Sequence, residues 1–547
     1  MTPARQEPAP DRAAEAARRQ LAALQRALAE RLEPEPTAWS ADGRGFVFRA
    51  PLAAPLPVGG YVLLRPAGGA ELLGQVTAAG IVEREGPEVA IAGDGGLGIG
   101  GGLLPVTGTT HRLKVSQLEG AGRLLGARDA DGLRGVGPGD TVDAAPMGPA
   151  DPAVVAAYLD GWARGRPTVD VGEVPGGGRA LLGVGGFSRH TFLCGQSGSG
   201  KTYALGVLLE RLLLESDFRL VVLDPNGDYA RLGELRDPGT LRRELGPAHT
   251  PEADRALRER WAAVGPRVVS LRAAGPGVPE TAATRLRFDR LPPETQGLVL
   301  RLDPVADREE YAELRRLEAG FGGAPHTLAD IRDAAAATLA ETARRVALRI
   351  DNLRVADWPL WAGNDDPGLA GRLDGDPRAL VLDIGSHETG AEAALVAERV
   401  LGELWERREA RRRTLIVIDE AHNVCPAEPA GDVQRAAMEQ VVRIAGEGRK
   451  FGLHLLLATQ RPQKLHPGAL TQCDNLLLMR TGALTDLEEL RRVFSFVPGA
   501  MVERAAGFAL GECLVGGPVV PTPLIARIGG RLTPEGGGDV PAAPARP

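Results

Sequence analysis

The sequence has 547 residues, of which 43% are hydrophobic and 25% charged, as in soluble globular proteins long enough for several domains. Its formal net charge of −7 argues against a surface built for bulk nucleic-acid binding, although a locally basic channel stays compatible with it. The four cysteines are widely spaced and indicate neither a zinc site nor a disulfide framework. Without a signal core or an apolar run of about 18 residues, we expect a cytoplasmic protein with no membrane contact.

The N-terminal segment, residues 1–38, is predicted to be a tail followed by one helix. Residues 1–10 are rich in proline and are expected to be disordered. Asp11 can cap a helix that runs to about Leu32 and carries leucines on one face. That helix would either pack against the body of the protein or make a small oligomer or partner contact.

Residues 39–150 are predicted to form a small β-barrel, because short β-like runs alternate there with Gly and Pro turns. The predicted strands are Gly45–Arg49, Gly60–Leu64, Leu72–Thr77, Glu88–Ile91 and Asp140–Ala144. The glycine-rich loop Gly93–Gly102 is expected to be mobile. A barrel of this kind could bind single-stranded nucleic acid, but it has few aromatic residues for stacking, so the pattern favours docking of a protein.

From Val169 onward, strand and helix patterns alternate, which predicts a parallel sheet covered by helices on both faces. The predicted strands are Phe192–Cys194, Leu220–Leu223, Val268–Leu271, Leu380–Ile384, Leu415–Ile418, His454–Leu457 and Leu476–Met479. We place this core in residues 151–305 and 378–520. A C-terminal extension, residues 521–547, is expected to be partly disordered.

The alternation stops between Pro304 and about Pro377, so we predict a helical insertion in residues 306–377. Thr327 and Asp330 form a capping box for a helix with one apolar stripe. The stripe consists of Leu328, Ile331, Leu339, Val346, Ile350 and Leu353.

The segment GQSGSGKT fits the pattern of a phosphate-binding loop and directly follows an apolar strand. Its glycines allow the backbone to wrap a polyphosphate and to aim N–H groups at the oxygens. Lys201 adds a charge near the β- and γ-phosphates, the hydroxyl of Thr202 is placed to ligate Mg²⁺, and the helix that follows favours the anion. The predicted ATP-binding residues are Gly195, Gln196, Ser197, Gly198, Ser199, Gly200, Lys201 and Thr202.

Three other strands of the predicted sheet end in polar side chains. Asp419 and Glu420 are predicted to hold the hydration shell of Mg²⁺ and to polarise the attacking water, respectively. Gln460 is a candidate sensor of the γ-phosphate, or a polar residue that satisfies its own loop. Asp224 and Asp228 could help to order water or metal, or could simply form a turn.

Two arginines are candidates for an arginine finger that reaches the nucleotide of a neighbouring subunit. Arg449 lies at the end of the predicted helix Val433–Lys450, where a cation also stabilises a helix terminus without any further role. Arg189 lies just ahead of the phosphate-loop strand.

Taken together, these motifs resemble the HerA family of hexameric ATPases, within the wider HerA/FtsK group of DNA-pumping motors. The matching segments are Arg189–His190 before GQSGSGKT, DPNGDY from Asp224, IDEAHN from Ile418, GEGRKFG from Gly446, ATQRP from Ala458 and GECLVGG from Gly511. Val58–Val62 and Gly74–Val76 look like the family's N-terminal barrel, so the resemblance covers about residues 40–530. The family usually has His and Glu where this chain has Asn226 and Asp228, and the stretch Pro426–Ala430 is unusually rich in Pro and Ala.

The resemblance implies an α/β, RecA-like P-loop core with a mainly parallel sheet, an N-terminal barrel and a helical insertion. It also implies a homohexamer with ATP and Mg²⁺ at the subunit interfaces and double-stranded DNA in a central channel. Carried over by position, Lys201 and Thr202 bind nucleotide and Mg²⁺, Glu420 acts on water, and Arg189 or Arg449 acts in trans.

The first functional hypothesis is an ATP-driven DNA translocase or helicase that works in DNA repair with a partner nuclease docked on the barrel. The alternative is a ring scaffold that assembles a nuclease or sirtuin-like effector for antiviral defence against phage. A third hypothesis, a membrane pump motor for peptide or conjugative DNA, is disfavoured by the missing membrane anchor.

Overall fold

The computed structural model describes residues 35–91, 97–99, 110–129, 132–247 and 249–536. The predicted tail and N-terminal helix lie outside the described residues, as do residues 537–547 and most of the loop Gly93–Gly102. The chain divides into two compact units, residues 1–158 and 159–547.

The first unit contains an antiparallel barrel with a long two-stranded extension. Within its described residues the strand order is β5-β4-β3-β8-β1-β2-β6-β7, and pairing of β4 with β6 closes the barrel. The strands are β1 (Thr37–Ser40), β2 (Gly45–Ala50), β3 (Tyr61–Leu64), β4 (Glu71–Ile91), β5 (Leu97–Ile99), β6 (Thr110–Asp129), β7 (Gly132–Arg134) and β8 (Val142–Pro149). The predicted strands Leu72–Thr77 and Glu88–Ile91 are therefore parts of one 21-residue strand.

The barrel closes around two phenylalanines of β2 that need glycine opposite them. Phe46 and Phe48 are 3% and 2% exposed. A Cβ atom on Gly122 would lie 2.1 Å from the Phe46 ring, and one on Gly120 would lie 2.5 Å from the Phe48 ring. These two positions of β6 therefore accept no side chain without moving a core aromatic ring.

The second unit contains a mixed sheet whose central strands are parallel. Within the described residues the strand order is β10-β9-β19-β18-β17-β11-β16-β15-β12-β14-β13, with parallel pairing from β17 to β13 and antiparallel pairing from β17 to β10. The strands are β9 (Thr168–Glu173), β10 (Arg179–Gly183), β11 (His190–Cys194), β12 (Arg219–Asp224), β13 (Val268–Arg272), β14 (Ala379–Asp383), β15 (Thr414–Ile418), β16 (Leu453–Thr459), β17 (Cys473–Leu478), β18 (Glu512–Gly516) and β19 (Leu524–Ile528). Strands β11, β12 and β15 are buried at every position, as expected for apolar strands covered on both faces.

Helices connect these strands, and several lie in the segment between β13 and β14. They are α1 (Pro152–Ala163), α2 (Lys201–Glu215), α3 (Pro238–Leu245), α4 (Pro251–Ala262), α5 (Pro293–Val299), α6 (Arg308–Gly320), α7 (Leu328–Ala336), α8 (Glu341–Leu353), α9 (Gly368–Asp374), α10 (Gly390–Glu406), α11 (Asp432–Glu447), α12 (Pro467–Leu470), α13 (Leu484–Val493) and α14 (Gly499–Glu503). The predicted fold class is confirmed: an α/β, RecA-like P-loop core with a mainly parallel sheet, an N-terminal barrel and a helical insertion. In the described part of the chain, no helix combines the length and apolarity needed to cross a membrane.

Between Leu328 and Leu353 the insertion contains two helices where the sequence predicts one. The apolar stripe is interrupted between α7 and α8, and Leu339, which was predicted to belong to it, is fully exposed in the connecting turn. Ile331 and Val346 are fully buried on either side of the break. The two helices pack against each other as a hairpin.

Replacing Thr327 by alanine is expected to lower the free energy of unfolding by about 1 kcal/mol, because α7 loses its N-terminal cap. Asp330 N–H donates to Thr327 Oγ1 at 3.2 Å, and Thr327 N–H donates to Asp330 Oδ2 at 2.7 Å, so the predicted capping box is confirmed. Thr338→Ala is the matched control, because within the described part of the chain that hydroxyl bonds only to the carbonyl of Ala334 at 2.9 Å. Urea unfolding followed by tryptophan fluorescence compares the two variants, and equal losses would contradict the capping role.

Candidate active site

The parallel strands bring the predicted site residues to one edge of the sheet. Strand β11 ends at Cys194 beside Thr459 of β16, and β15 ends at Ile418 beside Leu223 of β12. Strand β16 lies between β11 and β15. Because carboxyl ends of parallel strands meet at one edge, the phosphate loop and the polar residues that follow the other three strands come together there.

The phosphate loop connects β11 to α2 and depends on its glycines. Gly198 and Gly200 have φ angles of 71° and 92°, which side-chain-bearing residues rarely adopt. A Cβ atom on Gly195 would lie 2.9 Å from Cβ of Met479. The loop therefore closes tightly against the end of β17 and presents the N-terminus of α2 at the sheet edge.

Gln196 and Ser199 have different positions in this loop. Gln196 N–H donates to the carbonyl of Arg480 at 2.9 Å, and its side-chain oxygen accepts the N–H of Gly482 at 3.0 Å. This side chain therefore fixes the loop to the segment after β17. Ser199 is 1% exposed, and its hydroxyl has no hydrogen-bond partner among the described residues. An orphaned hydroxyl inside a phosphate loop fits a loop that binds a polar ligand.

Lys201 forms the centre of the site, where its ammonium contacts both acids that follow β15. Its Nζ atom donates to Asp419 Oδ1 and lies 3.1 Å from Glu420 Oε1. Lys201 is 5% exposed and Asp419 is fully buried. Burial lowers the pKa of Lys201, but the two carboxylates outweigh burial and raise it above its usual value. The lysine is therefore charged, with its ammonium next to both carboxylates.

Glu420 is held in a strained conformation that directs it toward the loop after β16. Its φ angle is 42°, which is uncommon for a residue other than glycine, and such strain is concentrated at functional sites. Gln460 Nε2 donates to Glu420 Oε1 at 2.8 Å, and His422 Nδ1 lies 3.4 Å from Glu420 Oε2. Burial raises the pKa of Glu420, but Lys201 and Gln460 together bring it below its usual value. Glu420 is therefore ionised at neutral pH and can accept a proton.

Asp224 and Asp228 differ in what they contact. Asp224 is fully buried and accepts the N–H groups of Tyr229 at 2.8 Å and Asn226 at 3.2 Å, so it fixes the turn after β12. Burial raises the pKa of Asp224 to about 6. Asp228 is half-buried, and burial together with the nearby charge of Asp419 raises its pKa. Asp224 therefore fixes the turn, whereas the nearby charges of Asp419 and Lys201 act on Asp228.

The available oxygen donors suit Mg²⁺ that is also bound by a nucleotide. Asp419 Oδ2 has one long contact, with Tyr229 Oη at 3.4 Å, and Thr202 lies half-buried at the start of α2. Among the described residues, no group of three His, Cys, Asp or Glu side chains is arranged to hold a metal ion. Mg²⁺ typically uses one or two protein oxygens together with phosphates and water, so the residues present fit that ion.

The two candidate finger arginines lie at the opposite edge of the sheet, where the parallel strands β11, β16 and β17 begin. Arg449 Nη1 contacts Asp474 Oδ2 at 2.8 Å, and Arg189 Nη1 contacts the same atom at 3.3 Å. Arg189 precedes β11, whose five residues span roughly 16 Å at about 3.3 Å per residue. The structure therefore does not bring either arginine to the phosphate loop of its own chain.

Sequence reasoning missed three residues that organise this site. Tyr229 is fully buried behind Asp419, and its position in the DPNGDY motif was a usable signal. Asp474 holds both arginines, but nothing in the sequence around it indicates this. Arg531 lies in a segment that the composition predicts to be partly disordered, yet it is fully buried.

Residues 169–316 match the family model described as "Helicase HerA, central domain". A probable helicase of Methanocaldococcus jannaschii is 23% identical over 371 residues, which cover 62% of this chain and 66% of the relative. The DNA double-strand break repair helicase HerA of Sulfurisphaera tokodaii is 22% identical over 377 residues, covering 66% of this chain and 69% of the relative. The chain thus spans about two thirds of the length of these relatives.

Among solved structures, VirB4 of Thermoanaerobacter pseudethanolicus is similar with a TM-score of 0.44 and 17% sequence identity. The similarity covers 66% of this chain and 96% of VirB4.

Proposed function

We propose that this chain, which belongs to the HerA family of P-loop ATPases, is an ATP-hydrolysing DNA translocase that acts as a hexameric ring. The observation that carries the proposal is the cluster of Lys201, Glu420 and Gln460 beside a phosphate loop of standard sequence. A buried lysine, a base that is ionised at neutral pH and a polar group that contacts the base form the constellation needed for nucleotide hydrolysis.

In the proposed reaction, the loop N–H groups and the dipole of α2 bind the phosphates, and Lys201 exchanges its carboxylate contacts for phosphate oxygens. Glu420, released from Lys201, orients the attacking water and accepts its proton. Thr202 and Asp419 would hold Mg²⁺, which supplies charge neutralisation on the phosphates. Gln460 contacts Glu420, so a change in the protonation or position of Glu420 is passed to the segment that follows β16.

The division of the site between two sheet edges supports a ring. One edge carries the phosphate loop, and the opposite edge carries Arg189 and Arg449, so neither candidate finger reaches the phosphate loop of its own chain. In a closed ring of head-to-tail contacts, one edge of each subunit faces the other edge of its neighbour. We propose six subunits around duplex DNA, with a nuclease docked on the barrel of the first unit.

ATP turnover by the purified chain is expected to rise several-fold with linear duplex DNA and to fall again as salt increases, because DNA binding releases counterions. The measurement is steady-state ATPase activity across a salt series, with and without DNA, together with the mass of the particle. A Glu420→Gln protein controls for contaminating ATPases. A ring whose turnover is indifferent to DNA would contradict the translocase and would favour a scaffold that assembles a defence effector.

A further inference from the structure

The C-terminal strap, which we define as residues 529–536, returns from β19 across the phosphate-loop helix α2 to the turn after β12. At the start of the strap, Gly529 N–H donates to the carbonyl of Val171 in β9 at 2.8 Å. At its other end, Gly536 N–H donates to the carbonyl of Asp228 at 3.0 Å. A Cβ atom on Gly536 would lie 2.0 Å from the carbonyl oxygen of Gly227. The strap therefore fits closely against the turn that precedes Tyr229.

A fully buried ion pair joins the strap to α2. Arg531 and Glu210 are both 0% exposed, and Arg531 Nε contacts Glu210 Oε1 at 3.3 Å. The same carboxylate accepts the N–H groups of Leu532 at 2.7 Å and Thr533 at 2.9 Å. A Cβ atom on Gly206 would lie 2.6 Å from the guanidinium, so this glycine within α2 makes room for Arg531.

Arg531 also reaches the back of the candidate active site. Its guanidinium lies 5.6 Å from the centre of the Tyr229 ring, and Nη2 donates to the carbonyl of Asp228 at 3.3 Å. On its other side, Tyr229 Oη lies 3.4 Å from both Asp419 Oδ2 and the carbonyl oxygen of Thr202. A continuous set of contacts thus connects the strap, the tyrosine and the two residues assigned to metal binding.

A second contact joins the strap to the first turn of α2. The N–H group of Arg531 donates to Tyr203 Oη at 2.8 Å, and that hydroxyl donates to Glu244 Oε2 at 2.8 Å. Tyr203 directly follows Thr202, so the strap holds the start of the phosphate-loop helix from two directions. A buried ion pair commonly contributes little net stability compared with apolar packing, so stability alone does not account for this one.

We propose that Arg531 is a positioning residue of the nucleotide site: through Tyr229 and the start of α2 it holds Asp419 and Thr202 in place, so catalysis requires a docked C-terminal strap. This inference rests on the proposed ATPase function and extends it to residues near the end of the chain. Arg531 contacts no reacting atom in this scheme, and its effect passes through the tyrosine ring and the helix.

The test compares Arg531→Met, Glu210→Gln and the double variant with Arg527→Met, an exposed arginine of β19 that serves as the matched control. Arg531→Met is expected to lower kcat by roughly 10- to 100-fold, since small displacements of catalytic groups have effects of this size. KM should stay within about three-fold, because most of the groups that bind the phosphates, from Gly195 to Lys201, are unchanged. Hydrogen exchange should become faster at Thr202, Tyr203 and Tyr229 in Arg531→Met and stay unchanged in Arg527→Met.

The double variant separates positioning from stability, because it leaves no buried charge unpaired. Its melting temperature should return toward that of the wild type, while kcat stays as low as in Arg531→Met. A double variant with wild-type kcat would overturn the proposal and leave Arg531 a purely structural role. If the wild-type chain has no Glu420-dependent turnover, the ATPase proposal fails by itself. In that case, hydrogen exchange at Thr202 and Tyr229 still tests whether the strap positions these residues. Unchanged hydrogen exchange in Arg531→Met would refute the positioning role.

Discussion

Replacing Glu420 by glutamine is expected to lower ATP turnover by about 10²- to 10⁴-fold, the range for loss of a general base, while ATP binding persists. Glutamine keeps the size of the side chain and its contact with Gln460, which is 2.8 Å in the wild type. It removes the negative charge that Lys201 stabilises and the group that accepts a proton from water. The loss should therefore fall on kcat.

Binding of a fluorescent ATP analogue and steady-state kinetics together measure this effect. Glu428→Gln, an exposed residue eight positions further along the chain, is the matched control and should behave as the wild type. The Glu420→Gln protein should bind the analogue at least as tightly as the wild type, because Lys201 loses one of its two carboxylate partners and is freer to meet phosphate. Turnover within about two-fold of the wild type would remove Glu420 as the base, since far larger losses follow removal of a general base.

The spacing of residues in the sequence was sufficient to predict the centre of this site. The phosphate loop is a contiguous segment, and the acidic pair and Gln460 each directly follow a continuous apolar run. Parallel strands must bring such ends to one edge, so topology places Lys201 near Glu420. The contact itself also depends on the local conformation after β15. The roles of these residues stay predictions until the kinetic measurements are made.

Long-range packing determined what the sequence did not reveal. Arg531 finds Glu210 across 321 positions of sequence, and the composition around Arg531 is typical of a disordered tail. The only local signal was Gly206 inside a leucine-rich helix, since a glycine there commonly has a packing reason. The turn around Leu339 has neither Gly nor Pro from Ala337 to Ala340, so propensity gave no warning that the predicted helix divides in two.

Arg449, which contacts Asp474, is the subject of the second prediction with a large expected effect on ATP turnover. Arg449→Ala is expected to lower turnover by about 10³- to 10⁵-fold, the range attributed to arginine fingers, although the residue lies at the sheet edge opposite its own phosphate loop. Arg189 is more exposed and lies further from Asp474, so Arg189→Ala is expected to have the smaller effect. Arg435→Ala, an exposed arginine of α11, is the control.

Mixing two inactive proteins tests whether Arg449 acts in trans. A Lys201→Met subunit lacks the ammonium that meets the phosphates and is expected not to hydrolyse ATP, but it still offers Arg449 to its neighbour. An Arg449→Ala subunit keeps an intact loop. Rings assembled from both should hydrolyse ATP faster than either variant by itself, because some interfaces then combine an intact loop with an intact arginine. Lack of recovery in verified mixed rings would mean that Arg449 does not act in trans and only stabilises the end of α11. An Arg449→Ala ring with wild-type turnover would instead transfer the role to Arg189, whose variant is tested in the same mixture.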